Sequence, residues 1–210
     1  MANERYLTPA GYGTAEYIEK RSRFIGQVWL IENEAEALEH IAHCRETYWD
    51  AGHNVYCYRV REGGIMRYSD DGEPGGTAGM PALNVFQNEK IENFCCVITR
   101  YFGGILLGAG GLVRAYSHTA KIALDAAGKA EARLWNRLMI ACSYGQYEKI
   151  KNELFRFGAV TEETDFGADI LLTVLVHLED TEQICEKLTD ITAGTVEIQT
   201  LGSEFRSLKL

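Results

Sequence analysis

The chain has 210 residues, of which 46% are hydrophobic and 24% are charged, and its formal net charge is −9 at pH 7. This composition is typical of globular proteins and excludes a disordered or low-complexity chain. Non-specific affinity for nucleic acid comes from neutralised phosphates, so the negative net charge disfavours a protein that coats DNA or RNA. A local basic patch is still compatible with RNA contact.

The N-terminus and the cysteines predict a cytoplasmic protein. No basic segment followed by an apolar one occurs at the N-terminus, so a secretion signal is not expected. The longest apolar stretch, residues 105–113, is short and interrupted by glycines, so no segment is expected to cross a bilayer. The six cysteines form no Cys-x-x-Cys pair and lie in apolar runs, as reduced core cysteines do. Adjacent Cys95 and Cys96 are expected to point to opposite faces of one strand.

The first two thirds of the chain are punctuated by glycines and predict a mixed α/β domain. Hydrophobic alternation predicts strands at residues 14–19, 23–31, 53–61, 65–68 and 94–101. A helix is predicted after an N-cap at Asn33, which has Glu36 three residues later, and two more helices are predicted at residues 82–89 and 112–127. Gly63-Gly64 predicts a two-residue hairpin turn.

From about Leu134 the pattern changes to strand, helix, strand, strand, helix, strand. The six predicted elements are residues 134–143, 146–157, 159–165, 170–178, 181–192 and 196–201. This β-α-β-β-α-β order is the signature of a ferredoxin-like domain. The predicted fold class is therefore α+β, with domains at residues 1–133 and 134–210. The second domain carries the larger share of the negative charge and no cluster of reactive residues, so we interpret it as a docking or dimerising module.

Two glycine-rich loops carry most of the functional signal. Residues 70–81 are Asp-Asp-Gly-Glu-Pro-Gly-Gly-Thr-Ala-Gly-Met-Pro, and residues 102–111 are Phe-Gly-Gly-Ile-Leu-Leu-Gly-Ala-Gly-Gly. Glycine costs conformational entropy on folding, so this density predicts backbone at positive φ or backbone that a partner approaches closely. Two tight turns in a compact domain are the alternative interpretation.

The second loop lies between a predicted strand and a predicted helix, an arrangement that exposes backbone N–H groups to an anion. Its glycine spacing matches neither the P-loop nor the dinucleotide-binding pattern. Arg100 ends the strand, and Arg114 is predicted in the first helical turn, where a cation opposes the helix dipole unless it is paired. The expected partner is either an acid of the first loop (Asp70, Asp71 or Glu73) or a phosphate from outside.

Other polar residues of this region have an ordinary interpretation beside a functional one. The acids of the first loop have oxygens that suit Mg²⁺, but neighbouring carboxylates more often form turns and caps, and no metal site is predicted. His53, at the start of a strand, is more often a hydrogen-bonded surface residue than a general base. Basic and aromatic residues alternate on one predicted hairpin, which suits RNA stacking and equally an ordinary solvated sheet face. These residues are Tyr56, Tyr58, Arg59, Arg61, Arg67 and Tyr68.

These motifs resemble the IMPACT/YigZ family. The resemblance lies in residues 70–81, in residues 97–116 (Val-x-Thr-Arg-Tyr-Phe-Gly-Gly-x-x-Leu-Gly-x-Gly-Gly-Leu-Val-Arg-Ala-Tyr), and in the upstream segments Ser22-Arg23-Phe24-Ile25-Gly26 and His53-Asn54-x-Tyr56. It implies an N-terminal domain with the ribosomal-protein-S5-domain-2-like fold, similar to elongation factor G domain IV. It also implies a ferredoxin-like C-terminal domain similar to elongation factor G domain V. Eukaryotic members regulate translation by protein–protein contact in the amino-acid-starvation pathway, so the resemblance implies a translation-related role.

Two functions remain open from the sequence, beside a third possibility in which the protein is purely a docking module and both loops are structural. The first is a non-enzymatic, translation-associated regulator that binds the ribosome, RNA or a translation-related protein through the cleft between the two loops, without a cofactor and without a DNA or membrane partner. Its expected binding residues are Arg100, Tyr101, Gly103, Gly104, Gly110, Gly111, Arg114, Asp70, Glu73, Thr77 and His53. In this hypothesis the arginines supply charge, the glycines allow close backbone approach, and two of the acids, Asp70 and Glu73, orient the arginines.

The second function is a Mg²⁺-dependent enzyme that acts on a phosphorylated small molecule or a nucleotide. In that case Asp70 or Asp71 holds the metal or acts as a base. The sequence identifies no catalytic residue set for such an enzyme and leaves the oligomeric state undetermined.

Overall fold

The computed structural model describes residues 5–209, with side chains as far as Arg206. The elements in chain order are β1 Arg5–Pro9, β2 Gly13–Glu19, β3 Ser22–Leu30, α1 Glu34–Thr47, β4 His53–Val60, β5 Ile65–Ser69, α2 Gly79–Asn88, β6 Phe94–Tyr101, α3 Ala109–Ala127, β7 Lys129–Cys142, α4 Tyr144–Arg156, β8 Val160–Phe166, β9 Ile170–His177, α5 Thr181–Ile191 and β10 Glu197–Lys209. The fold is α+β, and its described residues form two antiparallel sheets and five helices. These residues divide into two compact units. The N-terminal unit consists of Tyr6–Ala132 and residues 207–209, and the C-terminal unit consists of Arg133–Arg206 and Arg5.

The N-terminal unit is built on a sheet with the strand order β2-β3-β6-β4-β5, in which every neighbouring pair is antiparallel. Helices α2 and α3 cover one face of this sheet and α1 covers the other. The central strand β6 is therefore buried in seven of its eight residues. Cys95 and Cys96 point to opposite faces, as predicted, and each joins a different hydrophobic core.

The start of α1 follows the capping pattern that the sequence predicts. Asn33 Oδ1 accepts a hydrogen bond from the Glu36 N–H at 3.0 Å, and Glu36 Oε2 in turn accepts one from the Glu32 N–H at 2.9 Å. These reciprocal bonds satisfy N–H groups that a helix start leaves without partners. The helix then buries Ala37 and Ile41 against the sheet.

Helix α2 begins at Gly79, three residues before the predicted start at residue 82. The cap residue, Ala78, has no side chain that accepts a hydrogen bond. Asp70 supplies the acceptor instead, because its Oδ1 receives the N–H groups of Ala78 and Gly79 at 3.1 and 2.8 Å. Pro81 fits this first turn because its missing N–H would have no helical partner there.

Helix α3 begins at Ala109, again three residues earlier than predicted. Gly108 is its cap and has a φ of 71°, a conformation that glycine adopts without steric cost. Gly110 and Gly111 consequently lie inside the helix rather than in a loop, and Arg114 lies beyond the first helical turn. The expectation that a cation opposes the helix dipole at that turn was wrong, since the dipole effect is confined to the first turn.

The hairpin between β4 and β5 has a longer connection than predicted. Val60 pairs with Ile65, so four residues connect the strands instead of two. Glu62–Gly64 form a short 3-10 turn in which Gly63 and Gly64 have φ values of 72° and 63°. The glycine pair was correctly identified as a turn, but the turn includes the two residues before it.

The C-terminal unit has the element order β7-α4-β8-β9-α5-β10, the same order of strands and helices that the sequence predicts. Strand β9 pairs with β7 on one side and with β8 on the other, and β10 pairs with β7. Helix α4 buries Ile150 and Leu154, and α5 buries Ile184 and Leu188, in one hydrophobic core with these strands. In the part of the chain that the structure describes, no helix is long and apolar enough to span a bilayer.

Candidate functional site

A cavity of about 500 Å³ lies in the N-terminal unit between the two glycine-rich loops. Its polar lining includes His53, Glu73 and Arg100. Its apolar lining consists of Pro74, Phe102, Leu106, Leu107 and Leu112, and the start of α3 completes it with Gly108 and Ala109. Cavities of this size and character are typical of ligand and peptide sites.

The register of the sheet brings the polar residues of the cavity together. Arg100 on the central strand β6 lies opposite His53 of β4 on one side and opposite Phe24 of β3 on the other. Residues that are opposite one another on neighbouring strands share a face of the sheet. Arg100 and His53, 47 positions apart in the sequence, therefore belong to one site.

A buried ion pair forms the centre of this site. Glu73 Oε1 accepts hydrogen bonds from Arg100 Nη1 at 2.5 Å and from the Tyr116 hydroxyl at 2.7 Å. The side chains of Glu73 and Arg100 are only 3% and 6% exposed, so removing either partner would leave a buried charge uncompensated. Burial, together with the neighbouring negative charge of Glu73, raises the pKa of Tyr116, so that its hydroxyl remains a neutral donor.

The guanidinium group of Arg100 is not saturated by the acids of the protein. Nη2 lies 3.4 Å from Ser22 Oγ, and Nε is buried without a hydrogen-bond partner among the described residues. The rings of Phe24 and Phe102 lie 5.4 and 5.6 Å from the central carbon of the group, within the range of cation–π attraction. Arg100 is thus fixed in position from several sides.

One carboxylate oxygen of Glu73 remains available in the cavity. Both hydrogen bonds to the carboxylate go to Oε1, whereas Oε2 has no partner among the described residues and keeps contact with solvent. His53 is its neighbour, with Nε2 3.8 Å from Oε1. His53 Nδ1 lies 2.8 Å from the Asp71 carbonyl, an acceptor, so Nδ1 carries a hydrogen, and the tautomer with this single ring hydrogen leaves Nε2 as an acceptor.

Asp70 holds the first loop together and does not orient an arginine. Its Oδ2 accepts a hydrogen bond from the Gly76 N–H at 2.8 Å, and its Oδ1 accepts the two N–H groups at the start of α2 already described. Three backbone N–H groups thus share one carboxylate, which satisfies donors that a glycine-rich loop would otherwise leave unpaired. Of the two acids expected to orient the arginines, Glu73 alone contacts Arg100.

Asp71 and Thr77 have similar roles in the first loop. Asp71 Oδ2 accepts from the Asn54 N–H at 2.7 Å, and its Oδ1 accepts from Arg45 at 3.0 Å. The Thr77 hydroxyl donates to the Pro74 carbonyl at 2.6 Å. Asp71 therefore connects the loop to β4 and α1, and Thr77 closes a turn within the loop. The described residues contain no group of three His, Cys, Asp or Glu side chains arranged to hold a metal ion.

The glycines of the second loop serve different purposes. A Cβ on Gly103 would lie 2.0 Å from the backbone carbon of Arg21, and the Gly103 N–H donates to Ser22 Oγ at 3.1 Å. Gly103 is therefore required by packing against the turn between β2 and β3, not by an incoming partner. Gly104 has a φ of 82° with open space around it, as a turn residue does.

Eight of the eleven predicted binding residues lie outside the lining of the cavity, among them Tyr101 and Arg114. Tyr101 follows Arg100 on β6 and so points to the other face of the strand, where its hydroxyl donates to Asp50 Oδ1 at 2.8 Å. That hydrogen bond raises the pKa of Tyr101. Arg114 is exposed and forms no salt bridge within 4.0 Å among the residues that the structure describes. Of the two arginines that were expected to bind a ligand, Arg100 lines the cavity and Arg114 does not.

The apolar lining of the cavity and Tyr116 were not predicted as parts of the site. Phe102, Leu106 and Leu107 lie in a loop between glycines. The sequence alone does not show that side chains of this loop are exposed at the edge of a cavity. A signal was present, since three large apolar residues in a glycine-rich loop are unusual unless something covers them.

The chain is similar to known proteins over most of its length. A profile of the Impact N-terminal domain matches residues 20–124, and a profile of a domain of unknown function, DUF1949, matches residues 140–195. The chain is 35% identical over 195 residues to the IMPACT family member YvyE of Bacillus subtilis, with 92% of this chain and 90% of the relative covered. It is 43% identical over 183 residues to an IMPACT family member of Thermus thermophilus, with 87% and 99% covered.

A crystal structure of a hypothetical protein aligns with 95% of this chain, at a TM-score of 0.61 and 29% identity, and 98% of that chain is covered. All the residues that line the cavity lie within the segment that matches the Impact N-terminal domain. The chain belongs to the IMPACT family.

Proposed function

We propose that this protein is a translation-associated regulator that binds a protein partner through the cavity of its N-terminal unit. The translation role rests on the resemblance to the IMPACT family, whose eukaryotic members act by protein–protein contact. The position of the contact rests on one observation: Phe102 and Leu106, at the edge of the cavity, are 56% and 82% exposed. Large apolar side chains that remain in solvent around a concave site are typical of interaction surfaces.

The charge of the site favours a protein partner over RNA. RNA binding needs cations that are free to neutralise phosphates, and nucleic-acid interfaces are strongly positive. Arg100 is buried and paired with Glu73, and the net charge of the chain is −9. An apolar lining with a few fixed polar groups instead matches the centre of a protein–protein contact.

The alternative of a Mg²⁺-dependent enzyme has less support. Both oxygens of Asp70 accept backbone N–H groups, and both oxygens of Asp71 accept hydrogen bonds from Asn54 and Arg45. A metal bound by either carboxylate would displace bonds that hold the first loop in place. A nucleotide would also find no free cation among the side chains that line the cavity.

The proposal also includes a fold for each of the two units and a cellular location for the protein. The order of elements in the C-terminal unit supports a ferredoxin-like domain. The ribosomal-protein-S5-domain-2-like fold of the N-terminal unit rests on the family resemblance. A cytoplasmic location is supported by the six free cysteines, five of which are buried.

Co-sedimentation with purified ribosomes tests the proposal. We compare the wild type with Leu106→Asp and with a matched control, Leu38→Asp, because Leu38 is 53% exposed on α1 of the same unit. The wild type and Leu38→Asp are expected to co-sediment, and Leu106→Asp is expected to lose at least about tenfold in affinity, since a charge there would be desolvated in the contact.

Two results would contradict the proposal. Absence of wild-type association would reject the ribosome-linked role, and equal association of the two variants would reject the cavity as the contact. Binding to protein-free ribosomal RNA that depends on Arg114 and not on Leu106 would favour the RNA hypothesis instead.

A further inference from the structure

We propose that the cavity recognises a primary ammonium group attached next to an apolar side chain and a carbonyl or carboxylate oxygen. This chemistry occurs at the N-terminal residue of a polypeptide and in a free apolar amino acid. The inference deepens the proposed function and rests on it for the use of the same cavity. It is carried by three parts of the lining: two acceptors, the start of a helix, and the apolar residues between them.

The acceptors are Glu73 Oε2 and His53 Nε2. Arg100 and Tyr116 both bind Glu73 Oε1, which fixes the carboxylate plane and leaves Oε2 without a partner among the described residues. An ionised carboxylate oxygen accepts hydrogen bonds and cannot donate them. The side chain as a whole is 3% exposed and lines the cavity, so solvent reaches Oε2 through the cavity and a donor from a bound ligand can replace it there.

An ammonium group fits this pair of acceptors. It carries three donors, enough for Oε2, for the neighbouring Nε2 and for one water molecule. A simple anion such as phosphate does not fit, because it would place acceptors against the open oxygen of Glu73.

The start of α3 supplies donors in the same cavity. This helix has 19 residues, and its cap, Gly108, provides no side-chain hydrogen bond. The first N–H groups of such a helix have no helical partner and attract an oxygen with negative charge. Gly108 and Ala109 both line the cavity. An N-terminal residue carries its ammonium group and its carbonyl oxygen on neighbouring atoms, so a single residue can use both ends of the site. A lysine side chain would satisfy Glu73 and leave the helix start unused.

The apolar lining selects the side chain of that residue. Phe102, Leu106, Leu107 and Leu112 line the same cavity as the acceptors and the helix start. A cavity of about 500 Å³ accommodates a leucine-sized residue, and burying a charged side chain there would carry a desolvation cost. Branched aliphatic and aromatic side chains are therefore expected to bind best.

Isothermal titration calorimetry of the full chain at pH 7 tests the inference with four probes. These are L-leucinamide, N-acetyl-L-leucinamide, L-leucine and the tripeptide Leu-Gly-Gly. We expect L-leucinamide to bind and its acetylated form, which lacks the ammonium group, to bind at least about tenfold more weakly. Tighter binding of Leu-Gly-Gly than of L-leucine assigns the site to a polypeptide N-terminus, and the reverse order assigns it to a free amino acid.

Variants locate the binding within the cavity. Glu73→Gln, checked for folding by circular dichroism, is expected to lose the preference for the ammonium group, and Leu106→Asp is expected to weaken all four probes. Leu38→Asp is the control and is expected to bind like the wild type. The comparison of L-leucinamide with its acetylated form on the wild type remains decisive if Glu73→Gln does not fold.

The inference is overturned if the two amides bind equally or if no probe binds at millimolar concentration. In that case a drop of ribosome association in Leu106→Asp would still support the proposed function. Binding of the probes without any ribosome association would remove the ribosome-linked role and leave the ligand chemistry standing.

Discussion

The two glycine-rich loops of the N-terminal unit contain the same number of glycines and have different structural roles. The first loop, residues 70–78, is held by its own carboxylates, because Asp70 and Asp71 accept hydrogen bonds from the backbone. The second loop, residues 102–108, contains no carboxylate and leaves Phe102 and Leu106 exposed to solvent. Glycine content therefore does not distinguish a structural loop from a contact surface, whereas the presence of acceptors for the freed N–H groups does.

Glu73 in the first loop is expected to give the largest effect on stability. Glu73→Ala leaves Arg100 buried without its counter-ion and Tyr116 without its acceptor, so the free energy of unfolding is expected to fall by about 3–5 kcal/mol. Urea denaturation measures the change. The double variant Glu73→Leu with Arg100→Met, which removes both charges, is expected to recover most of the loss. A single variant as stable as the wild type would contradict the buried ion pair.

Asp70 is expected to give the next largest effect. Asp70→Ala removes the acceptor of three backbone N–H groups, including those that begin α2, and is expected to lower the free energy of unfolding by about 2 kcal/mol. Asp70→Asn keeps one carbonyl acceptor and is expected to lose about half as much. Thermal denaturation compares the two. If both variants have the same melting temperature as the wild type, the Asp70 carboxylate does not stabilise the loop.

Gly103 in the second loop and Gly75 in the first loop differ in the space that is available for a Cβ atom. A Cβ on Gly103 would overlap the backbone of Arg21, whereas a Cβ on Gly75 would meet nothing within 4 Å. Gly103→Ala is expected to cost about 1–3 kcal/mol through overpacking, and Gly75→Ala is expected to be close to neutral, since its φ is not positive. Equal melting temperatures of the two variants would show that the backbone around Gly103 shifts enough to accommodate a Cβ atom.

Leu106 is expected to give the smallest effect on stability. The side chain is 82% exposed, so Leu106→Ser is expected to change the free energy of unfolding by less than about 0.5 kcal/mol. The same variant is expected to weaken binding at the cavity. A destabilisation of several kcal/mol would instead place Leu106 in the core and remove the contrast between the loops.

Most elements of the fold are predictable from the sequence because hydrophobic periodicity determines them. Strand β6 has the predicted bounds, and the cap of α1 contains both predicted residues. Helix starts were less predictable where the cap comes from elsewhere in the chain. Asp70 caps α2 from eight and nine residues away. The residue at the cap position itself is Ala78, whose side chain cannot accept a hydrogen bond, so the local sequence does not mark the start of this helix. Strand β1 was not predicted, because Arg5–Pro9 is short and pairs with the distant β7.

The candidate site was predictable where the motif itself supplied it. Glu73, Arg100 and His53 were all expected, and all three line the cavity. Their mutual contact depends on the register of β4 and β6, which a single sequence does not give. The position of Tyr101 could have been predicted, since neighbouring strand residues point to opposite faces.

The hydrogen bonds of Asp70 have a consequence for the folding kinetics. They close loops of six to nine residues, whereas the Glu73–Arg100 bond spans 27 residues and needs β5, β4 and β6 paired in register. Short loops close at lower entropic cost, so the turn around Asp70 is expected to form early on the folding pathway. Substitutions at Asp70 should then slow refolding, and substitutions at Glu73 should mainly accelerate unfolding. The glycine-rich segment would in this way act as a nucleus on which the rest of the sheet assembles.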